Sequence, residues 1–457
     1  MIFTLASGIS SLVMMAVCYP IGWALVCLLF ADPGELDNAK RIYALSFSVS
    51  LLTLVASLAF YHTINGTMYP SGFSDDDYTF DSDAIKLLNY GIVSHSDSVQ
   101  FVSDLGSGIF HNASYYTIFV FRIYQLLQLF GLPPNPVVPR IVNLTFFSLT
   151  IVIIYKTARM ITNGDVARRA SLITLFSPFM LVIAVNTYRD ILICFGITAV
   201  LQFFVWCYTN KQVAPLPSKG DAVSIVALMI AGAVIVSFLR LGYFMTLPLI
   251  LYCVFFLRMK LERRHRAFVL LLLLAVALAL GFGYASVLIG LNANALRAMS
   301  EYNVGRITGG GSSQILTYVY ALPDAVTYVV LPIVRNYTPI PIPSFDTLSI
   351  ETFYQVGTIV WLSFLPKLFV ATRTAMSERQ WNASGDLRVV FVFFAIFFLL
   401  SALGTMQARH TTTYIPAASI LMAASVTMEK TKLDSLFRMV IQASIVALLA
   451  YGVLRVV

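Results

Sequence analysis

The sequence predicts an all-α, polytopic integral membrane protein. Three observations carry that expectation. Of 457 residues, 58% are hydrophobic and only 11% are charged, under half the ~25% charge of a soluble domain. Mean hydropathy is +0.81. The apolar residues also fall into runs of roughly 17–25, the length at which a helix crosses a hydrocarbon core, and not into the ten-residue alternating segments of a barrel. Such a chain cannot cover a soluble surface with polar groups. A cytosolic globular enzyme, a disordered chain and a secreted disulfide scaffold are excluded.

In chain order, about twelve spans are expected: 8–31, 43–61, 139–162, 168–187, 191–209, 222–240, 241–258, 267–290, 353–371, 389–406, 411–427 and 437–456. The first lacks a basic leader and a small-residue cleavage site, so it reads as a span and not as a signal peptide. Alternate connections collect the basic residues: Lys40-Arg41, Arg168-Arg169, Lys211 with Lys219, the cluster from Arg258 to Arg266, Arg373 with Arg379 and Arg388, and Lys430 with Lys432 and Arg438. The positive-inside rule places that side in the cytoplasm. The excess of 30 Lys+Arg over 22 Asp+Glu therefore reads as topology, and no nucleic-acid partner is expected. The chain reads as one transmembrane domain, 1–457, with two long outer loops at 62–138 and 291–352. The expected location is a bacterial inner membrane, with the site on its outer side.

Within the first outer loop, residues 114–132 carry Arg122, Gln125 and Gln128 among Tyr and Phe. Counting them as a span would put the basic 156–169 connection outside, so an interfacial helix is expected. The cysteines Cys18, Cys27, Cys194, Cys207 and Cys253 all lie in apolar runs, where they behave as small buried hydrophobes. Neither a disulfide framework nor a Cys/His metal spacing appears. The glycosylation triplets, among them Asn143-Leu144-Thr145, carry little information because they arise by chance.

The densest polar cluster runs from Ser74 to Asp83 and includes Asp75, Asp76 and Asp77; the loop holds seven acidic residues and no Glu. Adjacent carboxylates repel and raise one another's pKa, so near a membrane they call for a cation or a chemical task. The alternative is a solvated turn capping a short helix that begins near Ala84 and ends at Gly91. Both readings stay open. The second outer loop combines Gly309-Gly310-Gly311 with Pro332, Pro339, Pro341 and Pro343. That pattern suits a lid or a plain connector.

Ionisable residues at the ends of spans default to functional candidates. Arg189-Asp190, Arg240, Arg335 and Arg409-His410 all fall on the outer side, against the positive-inside trend. Guanidinium groups there suit a phosphate or pyrophosphate headgroup, or snorkel to ordinary lipid phosphates. Lys86 lies close enough to the acidic run to pair with it or bind phosphate.

The layout resembles the GT-C superfamily of polytopic glycosyltransferases, of the protein mannosyltransferase and lipid A aminoarabinose transferase type. The resemblance runs through residues 74–210: the acidic group Asp75-Asp76-Asp77-Tyr78 followed by a helix with Ala84, then Phe130-Gly131 closing the interfacial helix. Arg140 opens the next span and Tyr155-Lys156-Thr157-Ala158-Arg159 closes it; Ala170, Ser177-Pro178 and Asp190 follow. A weaker echo runs from Arg409 to Pro416. The span 8–31 is an addition to the usual pattern. The resemblance implies a polyprenyl-phosphate-linked sugar donor and a glycan, lipid or protein acceptor. It implies Asp76, or else Asp75 or Asp77, as general base. Tyr78, Lys86, Arg189, Asp190, Arg335, Arg409 and His410 would bind substrate. A divalent cation at Asp75–Asp77 is conceivable, but relatives of the mannosyltransferase type look metal-independent, and no cofactor is assigned.

Two other classes remain open at this level. A polysaccharide polymerase or O-antigen ligase would use an undecaprenyl-pyrophosphate glycan. It shares the late Arg-His but not the early acidic run. A lipid or sugar transporter would show internal repeats and midplane charges, and neither is found.

Overall fold

A computed structural model describes residues 5–70, 76–92, 97–98, 115–209, 219–240, 387–403 and 412–426, with positions 243, 246, 247, 250, 367, 368 and 370. Every regular element among the described residues is a helix. The first two are α1 (Leu5–Leu29) and α2 (Pro33–Asn65). Asp32 caps α2, its side chain accepting from the Gly34 N–H at 3.0 Å, and Pro33 takes the first helical position, where no donor is needed. The helix therefore starts ten residues before the expected span at 43. Its 33 residues reach ~50 Å, more than a hydrocarbon core, and the surplus carries Glu35, Asp37, Lys40 and Arg41. The helix closes on Gly66 in the left-handed region (φ 63).

The helix α3 (Asp76–Asn89) corrects another boundary. It was expected to begin near Ala84, with the acidic run as a preceding turn. Instead Asp76 and Asp77 form its first turn, where carboxylates oppose the positive end of the helix dipole. It ends at Gly91 as expected, with φ 66. The next helix, α4 (Tyr115–Leu129), is 15 residues and only ~22 Å long, too short to span. It packs mainly on α3.

The helix α5 (Val137–Ile161) is the centre of the fold. As a candidate span it is 89% buried, against 28% for α1 and 17% for α9 (Lys219–Leu239). The helices α1, α2, α6 (Gly164–Leu175) and α8 (Asp190–Thr209) pack around it. The span expected at 168–187 is broken: α6 and α7 (Pro178–Ala184) meet at 60°. Pro178 lacks the N–H that would continue the helix. The helices α8 and α9 cross at Gly196 and Gly232, where a Cβ on either residue would sit 2.6 Å from the other's carbonyl oxygen. Small residues allow such close backbone approach. The helices α10 (Arg388–Leu403) and α11 (Ile415–Val426) pack on each other, with α10 also against α8 and α11 against α6.

Among the described residues, five helices are long and apolar enough to cross a membrane, or six if the bent pair is one span. The expected spans 267–290 and 437–456, and most of 241–258 and 353–371, lie outside the described residues. The chain is an integral membrane protein by composition and by these helices.

The helices place two sets of polar groups at opposite ends. One end gathers the start of α2, the end of α5 and the start of α9. There Arg159 Nε meets Glu35 at 2.7 Å, Tyr155 donates to Glu35 at 2.5 Å, and Lys156 meets Asp221 at 2.7 Å while also donating to the Leu29 carbonyl. Lys40 and Arg41 near the start of α2, and Arg168 and Arg169 in the first turns of α6, share this end. At the other end Asn135 donates to Ser11 at 2.9 Å and ties the start of α1 to the segment before α5.

Candidate active site

That second end is built on the first turns of α5, where Arg140 and Asn143 stand three residues apart in an apolar helix. Arg140 is fully buried. Its Nη2 donates to Asp77 Oδ2 at 2.7 Å, and the Thr187 N–H donates to Asp77 Oδ1 at 2.7 Å. Both Asp77 oxygens are thus engaged, in an ion pair with no exposure on either side chain. Arg140 also lies 5.6 Å from the Tyr69 ring centre. Its Nε and Nη1 have no hydrogen-bond partner among the described residues, and neither do Asn186 Oδ1 and Thr187 Oγ1. Asn143 donates to the carbonyls of Asn186 and Tyr188 at 2.8 and 3.1 Å. The turn at 185–189 is thereby held from two sides.

Along α3, residue directions step by about 100°, so neighbouring side chains serve different surroundings. Asp76 is half-buried at the first position, while Asp77, Phe80, Asp81 and Asp83 are buried. Asp81 accepts from Tyr69 at 2.5 Å and from Tyr124. Burial pushes its carboxyl up to about 6, against the lowering effect of the two hydroxyls. Tyr78 meets Tyr69 edge-on at 5.2 Å and lines a cavity of about 300 Å³ with His62, Asp81 and Ser82. Lys86 pairs with Asp83 at 2.6 Å. The Arg189 guanidinium lies 6.0 Å from the Phe80 ring centre. Asp190 meets Arg240 at 3.5 Å, across the junction of α8 and α9.

Of the residues singled out in the sequence, Asp76, Asp77, Tyr78, Lys86, Arg189 and Asp190 are at this one end, with Arg240 beside them. Asp75, Arg335, Arg409, His410 and the loop 291–352 lie outside the described residues. Three groups carry more of the site than sequence reasoning assigned them. Arg140 entered only as a motif residue, Asn143 as a chance triplet, and Asp81 as one more member of the acidic run. The readable signal for the first two was polarity inside an apolar run at helical spacing. Among the described residues no three His, Cys, Asp or Glu side chains gather as a metal site.

No family model matches the chain, and neither does any curated protein. Solved structures do. The chain is similar to ArnT from Cupriavidus metallidurans, solved bound to undecaprenyl phosphate, at 15% identity over 85% of this chain and 60% of that one, with a TM-score of 0.45. It is also similar to the archaeal oligosaccharyltransferase AglB from Archaeoglobus fulgidus, solved with an inhibitory peptide and a dolichol-phosphate, at 13% identity over 89% of this chain and 55% of that one, with a TM-score of 0.43. The chain thus spans less than two thirds of the length of either protein.

Proposed function

We propose that the chain is a membrane glycosyltransferase of the GT-C type, moving a sugar from a polyprenyl-phosphate-linked donor to an acceptor at the outer face. The observation that carries this reading is the Asp77 bracket. By accepting from Arg140 on α5 and from the Thr187 N–H, Asp77 ties the acidic run to the turn that presents Arg189 and Asp190. Asp76 and Arg189 are thereby brought to one end of the helices.

In this reading Asp76 takes the proton of the attacking acceptor hydroxyl. The new bond forms at the anomeric carbon as the bond to the phosphate oxygen breaks, and the phosphate leaves with that electron pair. One displacement inverts the anomeric centre. Arg189 stabilises the charge gathering on the leaving phosphate. Asp190, paired with Arg240, steadies the turn beside it. Asp77 is a positioning residue, because both its oxygens are engaged. Tyr78, Lys86, Arg335, Arg409 and His410 complete the proposed substrate-binding set, the last three on sequence grounds. No step is routed through a divalent cation.

The test is transfer from an undecaprenyl-phosphate sugar by the purified chain in lipid nanodiscs, run with a panel of hexoses and pentoses. Asp76→Asn is expected to lower the rate by ~100-fold or more, the scale of a general base. Arg189→Ala is expected to do likewise, with insertion intact for both. An undiminished rate in Asp76→Asn removes the base from this position.

A further inference from the structure

Asn143 is fully buried, one turn below Arg140, and every hydrogen-bonding group of its amide is matched. Its two N–H bonds go to the carbonyls of Asn186 and Tyr188, at 2.8 and 3.1 Å. Its oxygen accepts from the Tyr116 hydroxyl at 3.3 Å, and that hydroxyl also lies 3.2 Å from the amide nitrogen. A side-chain amide offers two donors and an acceptor, and no other side chain of this size would satisfy all three partners.

These contacts close into a ring. The Tyr188 carbonyl belongs to the peptide bond leading into Arg189. The Arg189 guanidinium lies 6.0 Å from the centre of Phe80, and Phe80 meets Tyr116 edge-on at 4.9 Å. The Tyr116 hydroxyl returns to Asn143. One amide on the most buried candidate span therefore holds both the backbone that carries Arg189 and the aromatic platform beneath its charge.

We infer that Asn143 is a positioning residue that sets where Arg189 presents its guanidinium. The inference rests on the reading of Arg189 as the group that grips the donor phosphate. The polar partners of the Asn143 amide are Tyr116, Asn186 and Tyr188. Its effect on the reaction runs through Arg189, the member of the ring that faces the donor phosphate in that reading.

The test uses the full chain in nanodiscs and two readouts. Asn143→Asp keeps the shape and the acceptor for Tyr116, but turns lone pairs toward two carbonyls. Hydrogen exchange in Asn143→Asp is expected to speed at least tenfold in peptides covering 186–189, with those of α8 and α9 unchanged. Unchanged exchange in 186–189 overturns the inference. If exchange speeds everywhere, Tyr116→Phe replaces that variant. It removes one hydroxyl, and the same local acceleration is then required.

The second readout is a double-mutant comparison of transfer from undecaprenyl-phosphate hexose or pentose, with Arg189→Lys as the partner change. Asn143→Asp alone is expected to lower kcat at least tenfold. In the Arg189→Lys background it is expected to lower kcat less than twofold further. Losses that multiply in full overturn the inference, since a merely structural role would act in both backgrounds alike. If the unmodified chain transfers no sugar of the hexose and pentose panel, the proposed function fails, while the exchange readout still decides whether Asn143 holds the turn.

Discussion

Adjacent carboxylates on a helix point about 100° apart, and at Asp76 and Asp77 that angle separates a half-buried position from the protein interior. Asp77 lies against a fully buried guanidinium at 2.7 Å. Removing one member of such a pair strands the other charge and costs about 3–5 kcal/mol. Asp77→Asn is therefore expected to lower the thermal melting of the purified protein sharply, and Asp77→Asn combined with Arg140→Met to recover most of the loss. A normal melting curve for Asp77→Asn would show that the pair does not fasten α3 to α5. The acidic run was legible in the sequence as the chain's densest polar cluster. The division of labour within it was not, because three consecutive Asp look alike until a partner selects one of them.

At the scale of the element, propensity and packing decided different things. The start of α2 at Pro33 and the break at Pro178 both follow from local chemistry, a capped Asp-Pro pair and a proline without an N–H. Both were readable, although hydropathy alone placed the expected span edges elsewhere. The α8–α9 crossing is a matter of packing. At Gly196 and Gly232 the backbones approach so closely that a Cβ would sit 2.6 Å from a carbonyl oxygen. Gly232→Val is expected to cost about 1–3 kcal/mol, as overpacking does, read as a lower melting temperature. Gly8→Val, at a position with nothing within 4 Å, is the matched control. Equal melting of the two variants would argue against a tight crossing.

At the scale of the whole molecule, ion pairs among the described residues gather at two distinct ends of the helices. Glu35, Arg159, Lys156 and Asp221 are paired at one. Asp77, Arg140, Asp190 and Arg240 are paired at the other. Leu129, 81% exposed, and Asn163, also exposed, mark the two ends. In intact cells a membrane-impermeant maleimide is expected to label Leu129→Cys, and to label Asn163→Cys only after permeabilisation. Labelling of both from one side would break the proposed topology.

By itself the sequence determined that the chain is helical and membrane-embedded, which connections are basic, and where its densest acidic cluster lies. These are properties of composition and of local period, and they survive without knowledge of any long-range contact. Only the tertiary structure decided that Asp77 is committed to Arg140, that Asp190 answers Arg240, and that Asn143 holds the turn before Arg189. Those partners lie 63, 50 and 43 residues apart along the chain. A buried charge or amide takes its role from whatever meets it in a low-dielectric interior, and only folding supplies that neighbour.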